Sequence, residues 1–248
     1  MAGVQRASRP VLMLDYDGTL APFVVDREKA FPYPGIAGRM KRIIEETSTR
    51  IIIVTGRTIE MIDRLLQPDS SVEIWGSHGA EHRLPSGEVE RVQLDSDVSD
   101  LLASAVQFGE AMGETNLVES KPSGVAFHWR GCEPSRRDEI QTRIAEWWGR
   151  TESPHGVYLA EFDGGLELRV SGIDKGSAVE AVLDDLDKNT PLAYLGDDQT
   201  DEDAFGMIGS RGLKVLVRAE ERETSADIQL VPPDELYRFL DRWSAHEV

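Results

Sequence analysis

The sequence has a single cysteine, Cys132, so no internal disulfide can form. That thiol also lacks Cys or His neighbours at zinc-finger spacing, and it reads as a structural thiol in a reducing compartment. No apolar run approaches the ~18 residues a membrane-spanning helix needs. The stretch from Met1 to Asp15 carries two arginines but no sustained apolar region, so neither a leader nor a membrane anchor is expected and a cytoplasmic location is the default. Positive charge is scarce: 27 Lys and Arg against 45 Asp and Glu leave a net charge of −18 over 248 residues. Such a surface repels nucleic acid and anionic membrane, so an anionic ligand needs a local cationic site or a metal ion. There is no internal repeat and no low-complexity tract. The longest polar stretch, "RAEERETSAD", with Glu220 to Glu223 inside it, reads as a solvated charge run.

What is present suits a globular fold, with 40% hydrophobic and 29% charged residues, enough for one large domain or two modest ones. Val11 to Leu14, Ile51 to Val54 and Leu192 to Leu195 are short, uninterrupted apolar runs, each closed by a polar turn. That pattern predicts parallel strands covered on both faces. Helical spacing is seen over residues 36–46, 58–66 and 175–186, so strand and helix alternate in a doubly wound α/β core. The middle of the chain follows a different grammar. A hairpin in "AEHRLPSGEVERVQL" and a helix near 97–112 come first. A strand pair near 117–129, a helix near 135–148 and a last strand pair around 157–169 then predict an inserted α+β domain. The expected division is a catalytic core of residues 1–78 and 171–248 around a cap of residues 79–170.

In open α/β sheets ligands sit beyond the carboxyl ends of the strands, and three polar clusters fall there: Asp15/Asp17, Thr55/Gly56/Arg57 and Asp197/Asp198/Asp201. Each alone has a bland explanation, as a turn, a helix cap or an acidic helix start. Their coincidence points to chemistry. In "DYDGT" two carboxylates one residue apart point in different directions, so one can bind a metal and attack while the other serves a leaving group. Gly18 permits a sharp turn and offers an N–H to an anion. Asp197 adds a hard oxygen ligand, and few carboxylates with several waters suit Mg²⁺. Thr55 at a helix start makes a phosphate seat, and Lys175 adds a fixed positive charge.

The motifs "LDYDGTL", "VTGR", "DKGSAVEAV" and "YLGDDQTDEDAF", in this order and with an α+β insert between the second and third, resemble the haloacid dehalogenase superfamily. The long last motif and "GSHGAE" at Gly76 to Glu81 are similar to its trehalose-6-phosphate phosphatases, and the likeness runs from Val11 to about Phe239. The resemblance implies that Asp15 is the nucleophile forming an aspartyl phosphate, and that Asp17 is the general acid and then base. Thr55 and Lys175 would hold the phosphoryl oxygens, with Gly18, Gly56 and Arg57 around them. It implies Mg²⁺ on the Asp15 carboxylate, the Asp17 main-chain carbonyl and Asp197, with Asp198 or Asp201 behind. In the cap it places Glu119, Lys121, His128, Arg130 and Glu167 toward a sugar, since carboxylate, ammonium and imidazole suit hydroxyls that donate and accept.

The expected activity is therefore Mg²⁺-dependent hydrolysis of trehalose 6-phosphate by a monomer acting on a small-molecule sugar phosphate, with neither nucleic acid nor membrane as partner. The competing expectations are a phosphatase for sucrose phosphate or a glycosyl-phosphoglycerate, a phosphotransferase, and a non-catalytic sugar-phosphate-binding module. Trp147, Trp148 and the apolar residues of 101–112 read as core or interface, and His82, His155 and His246 carry no ligand spacing.

Overall fold

Every side chain of β1 (Val11–Leu14) is buried, because the strand feeds two cores at once. Val11 and Met13 enter one, Leu12 and Leu14 the other. This is why the run shows no alternation of apolar and polar residues. At roughly 1.5–3 kcal/mol for each large apolar side chain removed from water, four such residues make β1 the anchor of the sheet. The computed structural model describes residues 9–113, 117–154, 156–162 and 164–245, and these divide into two compact units, one of the described residues up to 90 and from 174 onward, the other of those within 91–173.

In the first unit β1 pairs in parallel with β2 (Arg50–Val54) on one side. On the other side it pairs in parallel with β10 (Leu192–Gly196). The sheet continues through β3 (Glu73–Gly76) beyond β2, and through β11 (Leu213–Val217) and β12 (Ile228–Leu230) beyond β10, all parallel. Helices α1 (Ile36–Glu46), α2 (Ile59–Leu65) and α7 (Asp234–Ser244) supply the apolar residues of one face. Helices α5 (Lys175–Asp184) and α6 (Asp201–Ile208) supply those of the other. The doubly wound core expected from the strand–helix alternation is present. Strands β3, β11 and β12 add to the three read from sequence; Glu73 and Lys214 interrupt their apolar runs, and β12 is a three-residue strand at the sheet's edge.

The hairpin of β4 (Glu81–Arg83) and β5 (Val89–Arg91), expected to open the insert, instead extends the large sheet. β4 lies antiparallel against β3, with Trp75 opposite His82. His82 stacks on that indole at 3.8 Å and meets Glu73 at 2.9 Å, a structural role for a histidine without ligand spacing.

The second unit is a four-stranded antiparallel sheet in the order β6 (Val118–Lys121), β7 (Gly124–His128), β9 (Gly165–Val170), β8 (Val157–Phe162). Val125, Phe127, Leu166 and Leu168 on one face meet Leu101, Leu102 and Ala105 of α3 (Ser96–Ala111) and Ile140 and Ile144 of α4 (Pro134–Arg150). Trp147 stacks on Phe108 at 5.0 Å, so that pair belongs to the packing of this layer. Among the described residues no helix is long and apolar enough to cross a membrane. His155 and His246 lie outside the described residues.

Candidate active site

The two neighbours of β1 lead to opposite sides of the sheet, so the crevice at the carboxyl ends of β1 and β10 is a topological switch point. Asp15 and Asp197 are the residues that follow these two strands, and the Asp15 N–H donates to the Leu195 carbonyl at 2.9 Å. Strands about 4.8 Å apart bring such side chains together without any further device. With Asp201 they form a buried group of three carboxylates whose nearest oxygens lie within 4.8 Å of one another.

Lys175 opens α5 and projects into this group, its Nζ 2.9 Å from Asp15 Oδ1 and 2.7 Å from Asp201 Oδ1. The helix start is fixed by a reciprocal cap: Asp174 accepts from the Ser177 N–H at 2.8 Å, and Ser177 Oγ accepts from the Asp174 N–H at 3.1 Å. Burial would push the Lys175 ammonium down, but the Asp15 and Asp201 carboxylates outweigh it and hold the group above its ordinary range. Burial pushes Asp15 up to about 7 against the pull of Lys175. Asp197 is pushed up to about 10, by burial and then by the charges of Asp15 and Asp201.

Fully ionised, the three carboxylates and one ammonium would carry two surplus negative charges, the complement of a divalent cation. Both Asp197 oxygens are buried and lack a hydrogen-bond partner among the described residues, which fits a ligand position for such an ion. Asp201 is differently employed. Its Oδ1 accepts from Lys175 and from the Tyr194 hydroxyl at 2.7 Å, and its Oδ2 from the N–H groups of Asp197 and Asp198 at 3.0 Å each. Burial, with the Asp201 charge, keeps the Tyr194 phenol protonated and therefore a donor. Asp201 thus organises the loop that carries Asp197. Asp198, expected among the metal ligands, is outside the carboxylate group; its backbone N–H and C=O are engaged by Asp201 and by Arg222 Nη2 at 2.9 Å.

Gly18 has φ +75° and a Cβ there would lie 2.1 Å from Asp197 Oδ2, so only glycine lets the first loop approach the second. Its N–H donates to the Ala21 carbonyl at 2.8 Å, closing the turn, and so is not the anion donor expected of it. Thr55 is fully buried at the end of β2, with Oγ1 accepting from the Arg57 N–H at 3.2 Å. It precedes α2 without capping it; Thr58 is the N-cap, accepting from the Met61 N–H. The sequence offers two threonines around Gly-Arg, and spacing alone does not choose between them. Gly56 lies under the His78 ring, 2.6 Å from Nε2 to where a Cβ would be. Ser77 and His78 both take φ near +50 to +60°, at 51° and 59°, in a loop tied down by Glu81 Oε2, which accepts from Ser77 Oγ and the Ile59 N–H. "GSHGAE" is therefore a loop brace.

Arg57 does not stand open to a ligand. Its Nε and Nη2 donate to the two oxygens of Asp17 at 2.7 Å each, and its Nη1 to the Arg27 carbonyl at 2.8 Å.

In the second unit the register sets Glu119, Ala126, Glu167 and Ala160 in one row across the sheet, with Lys121, Gly124, Arg169 and Tyr158 in the next. Strand alternation puts all of them, and His128, on the face away from α3 and α4. Lys121 meets Glu167 at 2.6 Å, Arg169 meets Glu167 at 2.7 Å and His128 meets Glu119 at 2.9 Å. Ala126 and Gly124 on β7 put small residues between the charged side chains of β6 and β9. Arg130 follows β7 and runs over Gly164, its Nε 3.0 Å from where a Cβ would be.

Sequence reasoning left out Arg169, although it sits two residues from Glu167 on the same strand and its facing follows from that spacing. It also missed Tyr194 and Arg222. Tyr194 hides in an apolar run, and Arg222 in "EERE" is no solvated charge: it bonds the Asp198 carbonyl and Glu202.

The trehalose-phosphatase family profile matches residues 13–234. The chain is 31% identical over 258 residues to a probable trehalose-phosphate phosphatase H of Arabidopsis thaliana, covering 94% of this chain and 71% of that protein. It is 31% identical over 252 residues to a trehalose-phosphate phosphatase of Mycobacterium bovis, covering 95% of this chain and 61% of that longer protein. A solved structure of a trehalose-6-phosphate phosphatase related protein superposes with a TM-score of 0.71 at 25% identity, over 95% of this chain and 97% of the other. The fold is that of the haloacid dehalogenase-type phosphatases. The chain belongs to the trehalose-phosphatase family.

Proposed function

We propose that this protein hydrolyses trehalose 6-phosphate to trehalose and phosphate with Mg²⁺ as cofactor, acting as a cytoplasmic monomer. The observation that carries the reading is the buried set of Asp15, Asp197, Asp201 and Lys175 at the switch point, in a chain of this family. Asp15 and Asp197 would hold the Mg²⁺, with the Asp17 main-chain carbonyl, while Asp201 keeps the Asp197 loop in place. The ion supplies charge neutralisation, letting an anionic phosphoryl group approach a carboxylate cluster.

Asp15 attacks phosphorus as the bond to the sugar oxygen breaks, and Asp17 delivers its proton to that leaving oxygen. Asp17, now a carboxylate, takes a proton from water as the water oxygen bonds to phosphorus and the Asp15–phosphorus bond breaks. Lys175 favours the ionised form of Asp15 against its burial and, with Thr55, stabilises charge on the phosphoryl oxygens. Glu119, Lys121, His128 and Glu167, joined by Arg169, would receive sugar hydroxyls on the polar face of the second unit.

Phosphate release over a panel of sugar phosphates tests the substrate. Trehalose 6-phosphate should have the highest kcat/KM, and faster turnover of sucrose phosphate or a glycosyl-phosphoglycerate would replace it. Asp15→Asn should retain the fold and lose turnover; retained activity would favour a binding module or another nucleophile.

A further inference from the structure

We propose that Arg57 is a positioning residue for the proton-transferring Asp17, an inference that rests on the reaction given above. Two parallel N–H···O bonds of 2.7 Å fix both oxygens of the Asp17 carboxylate, and so its plane as well as its place. The guanidinium is itself held. Nη1 donates to the Arg27 carbonyl at 2.8 Å, and the group stands 5.5 Å over the Tyr16 ring. That ring is fully buried, with its hydroxyl bonded to the Ala30 carbonyl at 2.7 Å. Arg57 is thus fastened to the segment after β1 at two points besides Asp17, and it arrives there from the loop after β2.

The arrangement separates the two aspartates of "DYDGT". Asp15 is held by Lys175 inside the carboxylate group, and Asp17 is held by Arg57 outside it. A residue that gives a proton to the departing oxygen and then takes one from water must keep one position through both steps. Displacement by about 1 Å can cost about 10²-fold in such a step. With its fork spent on Asp17 and Arg27, Arg57 serves the carboxylate that moves the proton, in place of the phosphoryl contact its motif suggests. Lysine cannot reproduce that hold, because a single ammonium has no planar fork.

The test compares trehalose 6-phosphate, whose alkoxide leaving group needs a proton, with p-nitrophenyl phosphate, whose leaving group does not. kcat/KM for both is measured in the full chain with Mg²⁺ for wild type, Arg57→Gln, Arg57→Lys and Asp17→Asn, with thermal melts to confirm folding. In Arg57→Gln the ratio of kcat/KM for the sugar phosphate over the aryl phosphate should fall by about 10²-fold. Arg57→Lys should fall between it and wild type. Because Asp17 also activates water, Arg57→Gln should release a burst of p-nitrophenol before a slower steady rate. An unchanged ratio, whether both substrates lose equally or neither does, would overturn the assignment, equal loss being the mark of a direct phosphoryl contact. The Asp17→Asn variant separates the two levels. If that substitution leaves the ratio unchanged, the role of Asp17 falls and the positioning role falls with it. If it lowers the ratio and Arg57→Gln does not, the positioning role alone is wrong.

Discussion

Asp201 receives the Lys175 ammonium at 2.7 Å on one oxygen and two backbone N–H groups of the Asp197 loop at 3.0 Å on the other. One buried carboxylate thereby joins the first residue of α5 to the end of β10. Replacing it with asparagine leaves Lys175 half-paired in the interior, and breaking a buried pair costs roughly 3–5 kcal/mol. Asp201→Asn should lower the melting temperature clearly and, through the displaced Asp197 loop, weaken metal affinity about 10- to 100-fold. Calorimetry with and without Mg²⁺ measures both effects.

Metal removal should reveal the cost of burying these carboxylates. Without an ion, Asp15 is pushed up to about 7 and Asp197 to about 10, above the ordinary value of 3.8, by burial first in both cases. Folding then favours their neutral forms, so this contribution to stability is complete below about pH 3.8 and is lost as pH rises through about 7 and then about 10. The chelated protein should therefore lose stability over that range, and the gain in melting temperature on adding Mg²⁺ should grow with pH. Asp197→Asn should melt higher than wild type in chelator at pH 8 and gain nothing from Mg²⁺.

Gly18→Ala should fail for two reasons that add. Its φ of +75° disfavours a side chain, and the new methyl would meet Asp197 Oδ2 at 2.1 Å. The backbone strain costs roughly 1–3 kcal/mol. Displacement of Asp197 should also raise the Mg²⁺ concentration needed for half-maximal turnover, which a metal titration measures.

Glu73 lies far from the chemistry and tests the sheet. Burial would raise its pKa, but the His82 hydrogen bond and Arg50, with Trp75 also donating, lower it below 4.5. Its contribution is thus present above about 4.5 and is lost as pH falls through its lower folded value. Glu73→Gln should cost about 1–3 kcal/mol at pH 7, since the buried Arg50–Glu73 pair is lost and Arg50 keeps only the exposed Asp185 at 3.2 Å. The penalty should shrink in melts at about pH 3.

Much of this molecule was legible from short runs. Val11 to Leu14 read as a doubly covered strand because both cores demand apolar residues from it, and Asp15 and Asp197 followed as strand-end residues. What eluded the sequence is pairing that only three dimensions decide. "YLGDDQTDED" offers five carboxylates, yet which of them faces a cation depends on Asp201 folding back to the Asp197 and Asp198 amides. Likewise Arg57 carries charge suited to phosphate, and nothing in "VTGR" tells that its fork is already spent on Asp17. The hairpin after β3 joined the larger sheet because β3 had a free edge beside it, a property of the sheet and not of "AEHR".

The adjacency of β1 and β10 also governs when the site can come into being. Asp15 leaves the ribosome before Lys175, Asp197 and Asp201, which follow only after the whole of residues 91–173 has been made. Contacts this distant in sequence form late, after the loop between them has closed. A chain stopped short of Leu192 leaves the β1 edge open where β10 belongs and cannot assemble the carboxylate group. A divalent cation held by this group would therefore stabilise only those molecules in which β1 and β10 have already paired.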